Sequence, residues 1–283
     1  MGGGIAQPPG RTKLEQGVMV KSILRRLHWI ASAQLGLDIR KLVRSMLGLP
    51  RFVRDLLRFR AQHTGQLVLL PCLHDWHEEA GASRSEYFWQ DLLVARKIFE
   101  SNPEKHVDVG SRVDGFVAHV ASFREIDVFD VRPITTVIPR VTFRQIDLMQ
   151  PARDLIAYCD SLSCLHALEH FGLGRYGDPV NTDGFQLGLA NLASLVRTNG
   201  VFYLSVPVGV ERVEFNAHRI SDPRTVVNLA KANALMLAAL SAVYPDGTVV
   251  DIGMDESRHA ELAQCRYALG IFTFIKQAET MDR

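Results

Sequence analysis

Two glycines and an acid give one stretch of this sequence the pattern of a nucleotide-binding turn. An apolar run, His106–Val109, is followed by a turn from Gly110 to Gly115, then by a second apolar run that ends at Asp130. Glycine lets a ligand approach the backbone of such a turn, and a helix that starts there offers it free N–H groups. A carboxylate at the end of the second strand can accept hydrogen bonds from both hydroxyls of a ribose.

The residues between the two glycines distinguish among nucleotides. A dinucleotide fingerprint, G-x-G-x-x-G, needs glycine where this chain has Arg112, because the pyrophosphate lies against that backbone. A P-loop is also absent, since no Gly-Lys-Ser or Gly-Lys-Thr follows. A nucleoside without a pyrophosphate, such as S-adenosylmethionine (SAM), fits better than NAD. The alternative is that the glycine turn is only a tight connection.

Candidate acid and base side chains occur further along the chain. His166, Glu169 and His170 lie at the end of a predicted strand and in the turn after it, and His218 lies in a later polar segment. A histidine near neutral pKa suits proton removal from a hydroxyl acceptor. We take His170 as the first candidate base, with Glu169 beside it, and His218 as the second. Alternatively, Glu169 and His170 fix the turn by hydrogen bonds, and His218 is a surface side chain.

Two polar segments are candidates for contact with a substrate. The loop 172–184 contains four glycines and one proline, so it has the length of a lid or acceptor-binding loop, and its Arg175, Tyr176 and Asp178 suit a sugar or a phosphate. The segment 72–81, CLHDWHEEAG, crowds several possible metal ligands together. Closing a tetrahedral site would need ligands from elsewhere, so we predict no metal site and favour substrate contact or a surface loop.

The elements that position these residues alternate between strands and crossovers, which predicts a parallel sheet. The carboxyl ends of parallel strands share one edge, where ligands bind. Gly110, Asp130, Asp147 and the turn 168–170 should therefore converge. The predicted strands are 106–109, 125–129, 141–146, 161–167, 201–206, 237–243 and 268–275.

Composition places the chain among ordinary globular proteins. It has 283 residues, 47% hydrophobic and 22% charged, a net charge of +1 and four cysteines. The cysteines form no small-scaffold pattern, which favours a reduced, cytoplasmic setting. The first residues lack an apolar signal region, and the longest apolar run, 232–243, is too short to span a bilayer. The predicted organisation is a flexible lead-in (1–18), a basic helical extension (19–62) and a catalytic domain (63–283).

The small net charge hides a basic N-terminal region. Between Arg11 and Arg60 there are twelve Lys and Arg against three acids. Apolar residues recur there at helical spacing, which predicts two or three amphipathic helices broken near Gly36 and at Pro50. Such helices can lie on an anionic membrane surface, here through residues 19–60 on the inner face of the membrane. The alternative is that they cover the catalytic domain; no nucleic acid is expected, because aromatic residues do not interleave with the charges.

The motifs DVGSRVDG, RQIDLM, SCLHALEHF and VFYLSVP occur in the order seen in class I SAM-dependent methyltransferases, which this sequence resembles. Longer motifs, among them PCLHDWHEEAG and LHALEHFGLGRYGDP, resemble a small methyltransferase-like family found among bacterial surface-polysaccharide genes. The resemblance covers about residues 66–277. It implies a Rossmann-like α/β fold with a seven-stranded, mostly parallel sheet and a reversed last strand, and SAM as cofactor. It assigns Asp108, Gly110, Ser111 and Gly115 to the SAM loop, Asp130 to the ribose, and Asp147 with Leu148 to the adenine.

Together these patterns predict SAM-dependent methyl transfer, with a glycan or other small-molecule hydroxyl as acceptor. Common methyltransferases carry D-x-G-x-G-x-G, whereas Arg112 and Asp114 occupy the later glycine positions here. Two alternatives therefore stay open. One is a non-catalytic binding or scaffold protein that keeps the fold, and the other is a nucleotide-sugar-binding enzyme of different chemistry.

Overall fold

The computed structural model describes residues 27–278. The chain divides after Gly81 into two compact units, which are described separately. The predicted lead-in (1–18) and the first part of the predicted extension (19–62) lie outside the described residues. Within the described range, no helix is both long enough and apolar enough to cross a membrane.

The first unit is built on one long helix, α1 (Ile39–Arg60). Asp38 caps it by accepting the N–H groups of Arg40 and Lys41 at 2.8 and 3.2 Å. The predicted break near Gly36 is present, since Gly36 has φ +68° and separates α1 from the π-helical segment Ile30–Gln34. The predicted break at Pro50 is wrong, because α1 continues through it. Proline removes one hydrogen bond from the ladder, whereas the flanking turns keep theirs.

The segment after α1 packs back onto it. A Cβ on Gly48 would overlap the carbonyl oxygen of Leu73, so only glycine allows this approach. The guanidinium of Arg51 lies 4.9 Å from the ring of Trp76, and Ser45 Oγ lies 3.4 Å from His74 Nδ1. Segment 72–81 is therefore anchored to α1 through Leu73, His74 and Trp76.

The strands of the second unit are β1 (His106–Val109), β2 (Ile126–Asp130), β3 (Val141–Gln145), β4 (Cys159–Leu165), β5 (Val196–Val208), β6 (Arg212–Glu214), β7 (His218–Ile220), β8 (Leu235–Val243), β9 (Val249–Asp251) and β10 (Ala268–Lys276). Eight of them form one sheet in the order β3-β2-β1-β4-β5-β10-β8-β9. The five neighbouring strands β3, β2, β1, β4 and β5 are parallel to one another, whereas β10 runs antiparallel to both β5 and β8. The remaining two strands, β6 and β7, form a separate hairpin.

Helices cover both faces of this sheet. They are α2 (Glu86–Ser101), α3 (Ala118–Ala121), α4 (Gly184–Leu195), α5 (Pro223–Ala232) and α6 (Glu256–Leu262). One face of the sheet packs on α2, and the other packs on α4, α5 and α6. Successive side chains of a strand point to opposite faces, so Phe202 and Leu204 of β5 pack on the side of α4, α5 and α6, whereas Tyr203 packs on the side of α2.

This architecture confirms the predicted fold class, a Rossmann-like methyltransferase sheet that is mostly parallel and has its last strand, β10, reversed. The sheet has one strand more than the seven that were predicted. This strand, β9, lies at the edge of the sheet and pairs antiparallel with β8. The helix after the turn from Gly110 to Gly115 is short, because the chain first forms a π-helical turn, Val113–Val117, before α3. The carboxyl ends of β1 to β5 lie along one edge of the sheet, where Gly110, Asp130 and Asp147 are found.

Candidate functional site

A cleft opens at the carboxyl edge of the sheet. Its walls come from the ends of β1, β2 and β4, from the segment after β3, and from the loop after β4. The lining residues are Val109, Gly110, Asp130, Val131, Arg132, Ile146, Asp147, Leu148, Met149, His166, Ala167, His170, Phe171, Tyr176 and Asp178.

Gly110 forms the part of the cleft where the chain leaves β1. Its φ of +74° favours glycine, and a Cβ there would lie 2.7 Å from the Cβ of Ala167. The Gly110 N–H donates to the carbonyl oxygen of Phe129 at 2.9 Å, which ties the turn to β2. The bare Gly110 backbone therefore gives the cleft a surface that another residue would fill.

Asp108 lies beneath this turn and does not line the cleft. Its Oδ1 accepts the hydroxyls of Ser111 and Ser163, each at 2.6 Å, and its Oδ2 accepts the Ser111 N–H at 3.1 Å. Burial raises the pKa of Asp108 to about 7, although these bonds act to lower it. Below it, burial lowers the pKa of His106 to about 3, and Nε2 of that neutral imidazole lies 3.1 Å from Ser163 Oγ. Asp108 and Ser111, both predicted to bind the cofactor, thus hold the turn from inside.

Arg112 and Gly115 do not line the cleft. Arg112 forms an ion pair with Asp114 at 2.8 Å, and its guanidinium lies 5.4 Å from the ring of Tyr87. A Cβ on Gly115 would lie 2.6 Å from Asp91 Oδ2, so glycine at this position leaves room for the Asp91 carboxyl group. Burial raises the pKa of Asp91. Neither residue is among those that line the cleft, so the arginine in the altered glycine turn does not close it.

Asp130 lines the cleft at the end of β2, and its carboxylate is bound by Arg132. The guanidinium donates from Nε to Oδ1 at 3.0 Å and from Nη2 to Oδ2 at 2.6 Å, while the Arg132 backbone N–H donates to Oδ1 at 2.8 Å. The bond to Asp130 raises the pKa of Arg132. Sequence spacing gave no sign of this pair, because two residues this close in a loop need not face each other.

Asp147, Leu148 and Met149 form the wall that follows β3. Asp147 Oδ1 accepts the Met149 N–H at 2.9 Å, which shapes the turn. The carbonyl oxygen of Leu148 accepts the side-chain amide of Asn191 on α4 at 2.8 Å. Leu148 and Met149 are buried, so this wall offers an apolar surface with one carboxylate beside it.

His166 follows β4 and lines the cleft between two carboxylates. Its Nδ1 lies 2.7 Å from Glu169 Oε1, and its Nε2 lies 3.3 Å from Glu86 Oε1, which is not aligned for a hydrogen bond. Burial alone would lower the pKa of His166, but Glu169 and Glu86 raise it to about 9. His166 also has φ +52°, a conformation that L-residues rarely adopt outside functional sites and turns. The sequence signals were its place directly after an apolar strand and its spacing to Glu169.

His170 has the opposite electrostatic environment. Its Nδ1 donates to the carbonyl oxygen of Ala217 at 2.7 Å, which leaves the lone pair on Nε2. Burial lowers the pKa of His170, although Glu169 acts to raise it. Glu169 is buried and lies 3.7 Å from His170 Nε2. Two histidines at one cleft are therefore held in different protonation states at neutral pH.

His218 lies in the β6–β7 hairpin and does not line the cleft. Its Nε2 is 3.5 Å from Glu214 Oε2, and its ring centroid is 6.2 Å from that of Tyr267. Burial lowers the pKa of His218. The hairpin contacts the cleft residues through the carbonyl oxygen of Ala217 instead. This oxygen accepts hydrogen bonds from His170 Nδ1 at 2.7 Å and from Arg175 Nη1 at 2.9 Å.

The loop after β4 carries Tyr176 to the cleft. Asp178 holds this loop by accepting the N–H groups of Gly172, Gly174 and Tyr176 at 3.0, 3.3 and 3.1 Å. The Tyr176 ring then lies 4.6 Å from the guanidinium of Arg132. Within residues 27–278, no three His, Cys, Asp or Glu side chains are grouped so that they could hold a metal ion.

Known proteins show only distant similarity to this chain. Residues 139–237 match the model of a family described as "Caenorhabditis protein of unknown function, DUF268", which covers less than half of the chain. No curated protein matches the sequence significantly.

Among solved structures, one that is similar is 1,6-didemethyltoxoflavin-N1-methyltransferase of Burkholderia thailandensis, with bound 1,6-didemethyltoxoflavin and S-adenosylhomocysteine. It has 14% identity and a TM-score of 0.44, over 96% of this chain and 94% of that one. Another is the N-methyltransferase NodS of Bradyrhizobium japonicum WM9 in complex with S-adenosylhomocysteine, with 10% identity and a TM-score of 0.45, over 69% of this chain and 89% of that one. Likeness at this distance carries no information on the acceptor.

Proposed function

We propose that this chain is a SAM-dependent methyltransferase. The observation that carries the proposal is the convergence of Gly110, Asp130 and the Asp147–Leu148 wall on one cleft at the carboxyl edge of a methyltransferase-like sheet. A bare backbone, a ribose-binding carboxylate and an apolar wall beside a carboxylate are the features that a nucleoside needs. The methyltransferase-like order of the sequence motifs gives further support.

In this proposal, Gly110, Asp130, Leu148 and Met149 would hold the cofactor, with Asp130 as the acceptor for its ribose hydroxyls and the two apolar side chains as the surface for its adenine. When bound, SAM supplies a methyl group on a sulfonium, which makes that carbon electrophilic. The protein then needs chiefly to align an acceptor oxygen opposite the sulfur, and much of the rate enhancement can come from that alignment.

We assign the base to His170. Its Nδ1–H is held by Ala217, so Nε2 is the nitrogen that accepts a proton. Its lowered pKa keeps it neutral at pH 7, and a neutral imidazole can take the proton of a hydroxyl. His166, whose pKa is raised to about 9, stays protonated and is a donor or a fixed positive charge instead. An NMR titration in which His170 is charged at neutral pH would contradict this assignment.

Asp130→Ala tests the cofactor site. Loss of the carboxylate should weaken binding of S-adenosylhomocysteine by about 1–3 kcal/mol, because the ribose hydroxyls lose their charged acceptor. Isothermal titration of the wild type and the variant measures this difference. Asp114→Ala is the matched control, since this exposed acid pairs with Arg112 outside the cleft. Equal affinity of wild type and Asp130→Ala for S-adenosylhomocysteine would overturn the site assignment. If the folded wild type does not bind S-adenosylhomocysteine at all, the proposed methyltransferase function is wrong.

For the acceptor, we propose a hydroxyl on a glycan or glycan precursor. This rests on the sequence resemblance to a family found among surface-polysaccharide genes and on the aromatic and charged residues of the loop after β4. Transfer of a labelled methyl group from SAM to sugar phosphates or sugar nucleotides would test it. Label that appears only in non-sugar acceptors would contradict it.

A non-catalytic protein that keeps the fold is the competing function. One observation favours it, since the proposed ribose-binding carboxylate of Asp130 is already bound by Arg132. A nucleotide-sugar-binding enzyme of other chemistry would bind UDP- or GDP-sugars without binding S-adenosylhomocysteine. The same titration, extended to these ligands, separates all three functions.

We further propose that α1 contacts an anionic membrane surface at the cytoplasmic face. Leu42, Met46, Val53 and Leu57 lie at helical spacing and are all exposed, which gives α1 an apolar stripe. Seven Lys and Arg occur in α1 against one acid, Asp55. This combination is typical of helices that bind anionic lipid.

Sedimentation with vesicles tests this proposal. The wild type should pellet with phosphatidylglycerol vesicles and not with phosphatidylcholine vesicles, and salt should weaken the pelleting. Met46→Glu with Leu57→Glu should abolish it, because the charges prevent insertion of the apolar stripe. Val137→Glu, at an even more exposed apolar residue of the second unit, is the control. Unchanged pelleting of the double variant would reject the role of α1.

A further inference from the structure

The bond between Arg132 and Asp130 limits what else the carboxylate can bind. An ionised carboxylate has about four acceptor positions. Arg132 fills three of them, through Nε and the backbone N–H on Oδ1 and through Nη2 on Oδ2. A ribose presents two hydroxyls, so both can bind Asp130 only after the guanidinium leaves.

The surroundings of Arg132 show where a released guanidinium would stay. It lies 4.6 Å from the Tyr176 ring, and Arg175 lies 5.2 Å from the same ring. Its Nη2 is also 3.4 Å from the carbonyl oxygen of Gly110. The stacking on Tyr176 would keep Arg132 at the cleft after Asp130 is taken by another group.

Arg175 adds a second positive charge at the same place. Its Nη1 donates to the Ala217 carbonyl at 2.9 Å. In the described part of the chain, no carboxylate lies within ion-pairing distance of its guanidinium. Arg132 and Arg175 thus both lie against the ring of Tyr176, and Arg175 has no carboxylate partner among residues 27–278. Two guanidinium groups placed in this way can bind an oxyanion such as a phosphate, because a guanidinium binds phosphate through two parallel hydrogen bonds.

We propose that Arg132 couples cofactor binding to capture of an anionic acceptor. The cofactor ribose and Arg132 compete for Asp130, and the displaced Arg132 joins Arg175 to bind a phosphate on the acceptor. This inference rests on the proposed methyltransferase function. It makes the acceptor a phosphate-bearing molecule and makes each ligand strengthen the binding of the other.

The test is a titration of the full chain with S-adenosylhomocysteine, with and without inorganic pyrophosphate as the acceptor probe. Arg132→Ala should bind S-adenosylhomocysteine roughly three- to tenfold more tightly than wild type, because a partly exposed ion pair no longer competes. Pyrophosphate should raise the affinity of the wild type by a similar factor and have no such effect on Arg132→Ala. Arg112→Ala is the control, because this arginine pairs with Asp114 and does not line the cleft.

The outcomes separate this inference from the function on which it rests. Binding to wild type without any gain in Arg132→Ala would overturn the competition and leave the proposed function standing. Pyrophosphate that weakens binding, or leaves it unchanged, would overturn the phosphate-bearing acceptor. Binding to Arg132→Ala alone would show that Arg132 blocks the site in the wild type, which would overturn the coupling and favour the non-catalytic function. Binding to neither protein would overturn both proposals.

Discussion

Glu169→Gln should lower the free energy of unfolding by about 3 kcal/mol near pH 6, the low end of the cost of breaking a buried ion pair. The substitution removes the carboxylate that lies 2.7 Å from His166 Nδ1 and keeps the size of the side chain. The low end applies because Glu86 remains near His166 and because the imidazole can release its proton. Chemical denaturation of wild type and variant measures the difference.

The difference should depend on pH in a direction that the two pKa shifts fix. His166 has its pKa raised from 6.5 to about 9 on folding, so its contribution is complete below about pH 6.5 and is lost as pH rises through about 9. Glu169 has its pKa lowered from 4.5, because His166 outweighs the effect of burial, so its contribution is lost as pH falls below about 4.5. The gap between wild type and variant should thus be widest between about pH 4.5 and 6.5 and shrink towards pH 9.

Two further measurements make this prediction specific. In Glu169→Gln, NMR should show the pKa of His166 falling from about 9, since one of its two carboxylates is gone. Asp114→Asn, which removes an exposed partner of Arg112, should cost less than about 1 kcal/mol. A variant that is as stable as wild type near pH 6 would show that His166 is not held as a cation.

The site residues that lie at strand ends could be predicted from the sequence. Gly110 and Asp130 were predicted to meet because each ends a strand of a parallel sheet, and they line one cleft. Asp147 followed from the same argument applied to β3, whereas Leu148 was assigned only by the resemblance to methyltransferases. Periodicity and the alternation of strands with crossovers are enough for this step, since neighbouring parallel strands share an edge.

Side-chain direction could not be predicted in the same way. Arg112 was the arginine expected to affect the glycine turn, yet Arg132 is the one that binds Asp130. Loop spacing does not determine which side chain turns inward, and the φ of +52° that places His166 at the cleft has no signature in residue type. The helix α6 was not predicted either, since its seven residues carry few apolar side chains.

The two histidines show why the electrostatics needed the structure. Both follow β4, and as residue types they are identical. The carboxylates of Glu169 and Glu86 hold His166 protonated, whereas burial and the Ala217 carbonyl favour the neutral form of His170 with its lone pair on Nε2. Opposed pKa values in one cleft separate an acid from a base, and only the packing reveals them.

Gly110→Ala should both destabilise the second unit and weaken cofactor binding. Alanine at φ +74° costs about 1 kcal/mol of backbone strain. Its Cβ would also lie 2.7 Å from that of Ala167, so the turn or the segment after β4 must shift. We expect a total loss of about 2–4 kcal/mol in chemical denaturation. The affinity for S-adenosylhomocysteine should fall at least about tenfold, since the cleft floor moves.

Gly253→Ala separates strain from contact. Gly253 has a similar φ of +66° and would have no atom within 4 Å of an added Cβ, and it does not line the cleft. This variant should therefore lose only the backbone term of about 1 kcal/mol and bind S-adenosylhomocysteine as the wild type does. Equal losses of stability in the two variants would mean that Ala167 yields freely to the new methyl group. Unchanged affinity in Gly110→Ala would mean that the turn after β1 does not support the cofactor, whatever its resemblance to a SAM loop.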